Sequence, residues 1–238
     1  NPVFTGSGTI QVGPPPPPEL LVGWERWLGG AGSASPATIQ MSGITGVATN
    51  SGFSESKWGA CDDGTFGALP TPPASTDKTV DEEGLRKTGA TDISIDFYVE
   101  NTAGADIDLS MFHFDALLKK DNTGPQQWSL DVLSGSVTTG QVDTGALAFI
   151  DATGNLADYD VDLTGLADHA LDAGSSVVFR LTFTGGAAGN DGYMDLDNVA
   201  LSKLPRTTVP PEPPVLEYGM SGGALVFNWS ESGFKVQS

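Results

Sequence analysis

ISIDFYVENTAGADIDLSMFHFDA, residues 93–116, decides the fold. Ile93, Ile95, Phe97 and Val99 alternate with Ser94, Asp96 and Tyr98. A period of two puts one side of an extended chain in a core and the other in water. Asn101-Thr102-Ala103-Gly104-Ala105 supplies a turn, and Ile107, Leu109 and Met111 open the next strand. Working outward, the same alternation recurs at Trp128, Leu130 and Val132, at Tyr159, Val161 and Leu163, and at Val177, Phe179, Leu181 and Phe183. Met194 and Leu196 lie opposite Asp195 and Asp197, ahead of Val199 and Leu201. Turn-forming runs such as Asp121-Asn122-Thr123-Gly124-Pro125 separate these segments, and none repeats apolar residues at the helical period. Many short strands with turns between them predict an all-β protein, an antiparallel β-sandwich of jelly-roll type. Residues 59–90 are rich in Gly, Pro and Thr and predict a long loop crossing one end of it.

Two proline-rich segments divide the chain. Pro14 to Pro18 are consecutive, and residues 204–214 contain Pro205, Pro210, Pro211, Pro213 and Pro214. Both favour stiff polyproline II. The expected organisation is an N-terminal strand at 1–13, a spacer at 14–19, the sandwich at 20–203, a linker at 204–214 and a β-hairpin segment at 215–238. The N- and C-terminal strands are thus appendages to the sandwich.

The composition excludes several function classes. Against 30 acidic residues stand 11 basic ones, a net charge of -19. Phosphate binding needs clustered Lys and Arg, so nucleic acid and anionic membrane surfaces are poor partners. No run approaches the roughly 20 apolar residues of a membrane helix, and no membrane insertion is expected. Cys61 is the single cysteine, so no intrachain disulfide can form. It reads as a small buried hydrophobe. The acidic, Gly- and Thr-rich surface suits an extracellular or cell-surface protein. The chain opens on Asn1, which fits removal of a signal peptide and fits a trimmed chain equally.

No motif calls for catalysis, and the chain is not expected to be an enzyme. Gly219-Met220-Ser221-Gly222-Gly223 matches the G-x-S-x-G elbow, but no Asp or His follows Ser221. A hairpin turn accounts for these glycines. His113 and His169 have no second His at metal spacing and lie far from Cys61 in sequence. His113 therefore reads as a packed or surface histidine. Asp158, Asp160 and Asp162 occupy the polar side of one strand, as a solvated sheet face requires. Trp24, Trp27, Trp58, Trp128 and Trp229 could offer a sugar-stacking platform, although Trp58 and Trp128 read as core residues.

Trp58-Gly59, ISIDFYVENTAGADIDLSMFHFDA, WSLDV (128–132), YDVDLTGL (159–166), LDAGSSVVFRLTFTGG (171–186) and YMDLDNVAL (193–201) occur in that order. Over about 24–203 this resembles the jelly-roll domains of secreted proteins in environmental bacteria, which often carry a C-terminal sorting signal. The piece at 219–238 is similar to the opening of small β modules that follow such domains. Jelly-roll carbohydrate-binding domains often hold a structural Ca²⁺ through an acidic residue of the closing strand. That likeness makes Asp195 and Asp197 the candidate metal ligands, with other oxygens required to complete the shell. No other cofactor is implied.

The two ends carry the functional reading. Phe4, Gly6, Gly8, Ile10 and Val12 fall on one side of a strand, with Thr5, Ser7, Thr9 and Gln11 on the other. A lone strand cannot satisfy its backbone, so it must dock on a sheet edge, of its own domain or of a neighbour. Leu225, Phe227 and Trp229 alternate in the same way near the C-terminus, ahead of Phe234 and Val236. Docking the head of one subunit on the tail of the next gives a heterologous contact that builds filaments. The leading expectation is therefore a non-catalytic structural subunit of an extracellular fibre, joined to identical subunits head-to-tail by donor-strand exchange. The alternative is a carbohydrate-binding module of a secreted protein, with polysaccharide as partner.

Overall fold

The structure is a computed structural model. It describes residues 19–25, 27–28, 30–56, 84–89, 92–119, 124–149, 157–186, 192–204, 216–221 and 224–229. No helix occurs among them. Contacts divide the chain into two units, Asn1–Leu204 and Pro205–Ser238.

The first unit opens with β1 (Glu19–Trp24), β2 (Ala34–Pro36), β3 (Ile39–Gln40), β4 (Ile44–Asn50), β5 (Ser54–Ser56) and β6 (Gly84–Thr88). It continues with β7 (Ile93–Asn101), β8 (Ile107–Lys119), β9 (Gln127–Gly135) and β10 (Gly140–Ala146). It closes with β11 (Ala157–Asp162), β12 (Ala170–Leu171), β13 (Ser176–Thr184) and β14 (Tyr193–Lys203). One sheet runs β11-β8-β14-β1-β3, with β12 beside β8 and β6 and β5 extending from β14. The other runs β10-β9-β13-β7-β4-β2. Every strand pairing in both is antiparallel. From β7 onward the chain crosses between sheets repeatedly, and the first strand pairs with the last, β1 with β14. This is a jelly-roll-type β-sandwich, as the alternation predicts.

The inner faces meet through aromatic rings. Phe97 of β7 is fully buried and lies edge-on to Trp24 at 5.0 Å and to Phe112 at 5.4 Å. Phe114 stacks on Tyr159 at 4.8 Å and meets Trp128 edge-on at 5.2 Å. Offset and edge-on pairs of this kind add to burial because ring edges and faces carry opposite partial charge.

Two departures from the sequence reading have physical causes. Gly84–Thr88, inside the expected loop, is β6, held along β14 from Tyr193↔Thr88 to Leu196↔Leu85. Met111 was expected beside Leu109 on the inner face. The pairing with β14 gains a residue between Leu109 and Phe112, and this bulge turns Met111 off the core while Phe112 takes over. β4, which the sequence reading did not single out, turns Ile44, Gly46, Ala48 and Asn50 inward and Val47 outward. A Cβ on Gly46 would stand 2.7 Å from Val22 and 2.8 Å from Trp24, so only glycine lets β4 lie over those side chains.

In the second unit β15 (Leu216–Ser221) pairs with β16 (Ala224–Trp229), from Leu216↔Trp229 to Ser221↔Ala224. Ser221 thus stands in a hairpin strand, not in a strand-to-helix elbow.

Candidate binding face

The outer face of the six-stranded sheet carries side chains in rows that only register reveals. Pro36 of β2 lies opposite Val47 of β4, then Tyr98 of β7, Val178 of β13 and Ser134 of β9. Val47 is 37% exposed and Tyr98 39%. Leu133, at the bulge where β9 meets β13, is 41% exposed. An apolar stripe therefore crosses the sheet perpendicular to its strands, on the side turned away from the core.

Polar rows flank the stripe. On one side run Thr49, Asp96, Arg180, Asp131 and Gln141, and on the other Thr45, Glu100 and Ser176. Arg180 donates to Asp96 through Nε at 2.6 Å and through Nη2 at 2.7 Å. The hydrogen bonds it donates to this carboxylate hold the guanidinium above its ordinary pKa; partial burial opposes the shift, and the charges of Asp96 and Asp131 add to it. Beside the stripe, on the Glu100–Ser176 side, Tyr98, Glu100, Ser136, Asp172, Ser175 and Ser176 line an open depression of about 510 Å³. The depression thus sets an aromatic ring beside carboxylates and hydroxyls, an apolar face next to hydrogen-bonding groups.

The expected assembly residues Phe4, Gly6, Gly8, Ile10 and Val12 lie outside the described residues. Leu225, Phe227 and Trp229 occupy β16 opposite Met220, Tyr218 and Leu216. Trp58 is also outside the described residues. Trp24, Trp27 and Trp128 are buried in the core, so none of the three forms a surface platform. The exposed aromatic on the stripe is Tyr98 instead.

The two candidate metal ligands have different surroundings. Both oxygens of Asp195 are engaged by Arg86, at 2.6 Å each, which leaves Asp197. That carboxyl is buried beside the bulge of β14, where Asn198 adopts a positive φ of 46° that asparagine tolerates. Burial pushes Asp197 well above the usual carboxylate range. The Asn198 N–H and the Trp27 indole N–H draw it back, and the charges of Asp115 and Glu25 raise it further. Trp27 Nε1 lies 3.4 Å from Asp197 Oδ1, and Asn198 Nδ2 donates to Asp115 at 2.7 Å. Among the described residues, no group of three or more His, Cys, Asp or Glu side chains is arranged to hold a metal ion.

A further constellation was missed in the sequence. His113 Nδ1 meets Asp160 Oδ1, and Nε2 lies 3.0 Å from Ser202 Oγ. The order of nucleophile, base and acid is that of a hydrolase triad. Ser202 is fully buried, however, and its Oγ accepts the Met111 N–H at 3.2 Å. The group reads as a satisfied polar cross-link among β8, β11 and β14. A serine-directed fluorophosphonate should label the chain and its Ser202→Ala variant equally poorly by intact mass. Stoichiometric labelling lost in the variant would overturn that reading.

No family model and no curated protein matches the chain. Solved structures similar in fold include the following two. One is the carbohydrate-binding module TmCBM61 in complex with β-1,4-galactotriose, at 12% identity and a TM-score of 0.30, covering 51% of this chain and 71% of that one. The other is a CBM4 structure at 15% identity and a TM-score of 0.28, covering 50% of this chain and 83% of that one. The likeness is one of fold, and no residue is carried across.

Proposed function

We propose that the chain is a non-catalytic polysaccharide-binding module of an extracellular protein, holding its ligand on the outer face of the six-stranded sheet. The observation that supports this is the Val47–Tyr98–Val178 row, an apolar stripe exposed at Val47 and Tyr98, half-buried at Val178 and bordered on both sides by hydrogen-bonding side chains. Scattered exposed apolar residues are ordinary, whereas a contiguous row rimmed by polar groups is a recognition surface. A rigid sheet also holds its hydrogen-bonding groups in place before the ligand arrives, which lowers the cost of association. The strand-exchange assembly expected for a fibre rests on residues 3–12, outside the described residues, and draws no support from the sandwich. The calcium expectation is carried forward at Asp197 alone.

Tyr98→Ala is the direct test. Removing the ring should weaken retention in a polysaccharide-containing gel by about tenfold or more, as loss of a central aromatic anchor does. The side chain is exposed, so stability should change by less than about 1 kcal/mol. Unchanged retention in the variant would sink the proposal.

A further inference from the structure

Resting on this reading of the face, we infer that its ligand is an uncharged polysaccharide and that chains bearing uronate or sulfate are rejected. The charges of the six-stranded sheet carry the argument. Its strands contain the carboxylates Asp96, Glu100, Asp131 and Asp143 and a single cationic side chain, Arg180. Recognition of an acidic sugar needs a guanidinium fork or ammonium free to face it. Arg180 has its fork turned to Asp96, at 2.6 and 2.7 Å, and Asp131 stands in register on its other side. The remaining described Lys and Arg residues, Arg86, Lys87, Lys119 and Lys203, all belong to strands of the other sheet.

An acidic sugar packed on Tyr98 would also meet Glu100 and Asp172, which line the depression with it. Like charges brought together in a partly dehydrated site repel strongly enough to decide between partners. Sugar hydroxyls, in contrast, donate to these same carboxylates, which accept through both oxygens. The net charge of -19 adds a long-range repulsion of the same sign.

The test is affinity electrophoresis of the full chain against neutral β-glucan, β-galactan, xylan and mannan and against polygalacturonate, alginate and carrageenan, at low and high salt. At least one neutral polymer should retain the chain in a Tyr98-dependent way. At low salt the acidic polymers should bind about tenfold more weakly or worse, and added salt should narrow the gap. The E100Q/D131N double variant should narrow it as well. An acidic polymer bound as tightly as the best neutral one, with binding lost in Tyr98→Ala, would overturn the charge selection and leave the platform standing. Binding to none of the seven would remove the platform reading itself, and this inference with it.

Discussion

Phe97→Ala should lower the free energy of unfolding by about 3–5 kcal/mol, the cost of deleting a buried phenyl and leaving a cavity. The ring is fully buried on the inner face of β7. It reaches across to the aromatics of the facing sheet, lying 5.0 Å from Trp24, 6.3 Å from Trp27 and 5.4 Å from Phe112. Two of these neighbours are indoles locked by other contacts: Trp24 donates to the Ser35 carbonyl at 3.2 Å, and Trp27 reaches Asp197. They cannot collapse into the space, so the cost should fall at the upper end of the range. Urea titration followed by tryptophan fluorescence would measure it, and a loss below about 1.5 kcal/mol would show that the sheets repack. The comparison with the adjacent Tyr98 sharpens the point. Successive side chains of a strand face opposite ways. Phe97→Ala should therefore cost stability and spare ligand retention wherever the variant is folded, and Tyr98→Ala should do the reverse.

That contrast also shows what could be read before the strands were paired. The inner rows of β7, β9, β13 and β14 were legible because their large apolar residues repeat at a period of two. β4 was not, because Gly46, Ala48 and Asn50 take three of its four inner positions while Val47 faces outward. Its pattern makes sense only once Val22 and Trp24 are known to occupy the space beneath. β6 hides in a Gly- and Thr-rich neighbourhood and is strand by virtue of its partner β14. The binding face has the same character. Tyr98 was visible as an aromatic on a polar side, but Val47 lies 51 residues before it and Val178 lies 80 after it. Nothing short of register places the three side by side. His113, Asp160 and Ser202 were likewise separate until β8 paired with β11 and β14. Asp195 and Asp197 look equivalent in sequence, and their fates diverge because Arg86 of β6 reaches only the first.

Asp197 should give the molecule an inverted pH response. Its carboxyl is pushed up chiefly by burial, with Asp115 and Glu25 adding repulsion. The unfolded chain titrates this residue near the ordinary value of about 3.9. Between that pH and the raised folded value, the folded state holds the proton and the unfolded state has lost it. Unfolding then releases a proton, so stability falls as pH rises, by up to about 1.4 kcal/mol per pH unit for this one group. A carboxylate with a depressed pKa, such as Asp162 under its Thr164 hydrogen bonds, gives the opposite slope. The total curve is a sum, and the difference between the chain and its Asp197→Asn variant isolates the buried group. The variant should gain on the parent steadily from about pH 4 upward in the presence of a chelator. A parallel pair of curves would mean that Asp197 titrates normally. Calcium supplies the second arm of the same experiment. An ion bound at Asp197 favours the charged form and binds only the folded state, so millimolar Ca²⁺ should flatten the parent's decline and raise its melting temperature. It should do neither in Asp197→Asn. If added Ca²⁺ leaves the parent's curve where the chelator put it, the cluster holds a proton in place of a cation, and the calcium expectation at this strand is withdrawn.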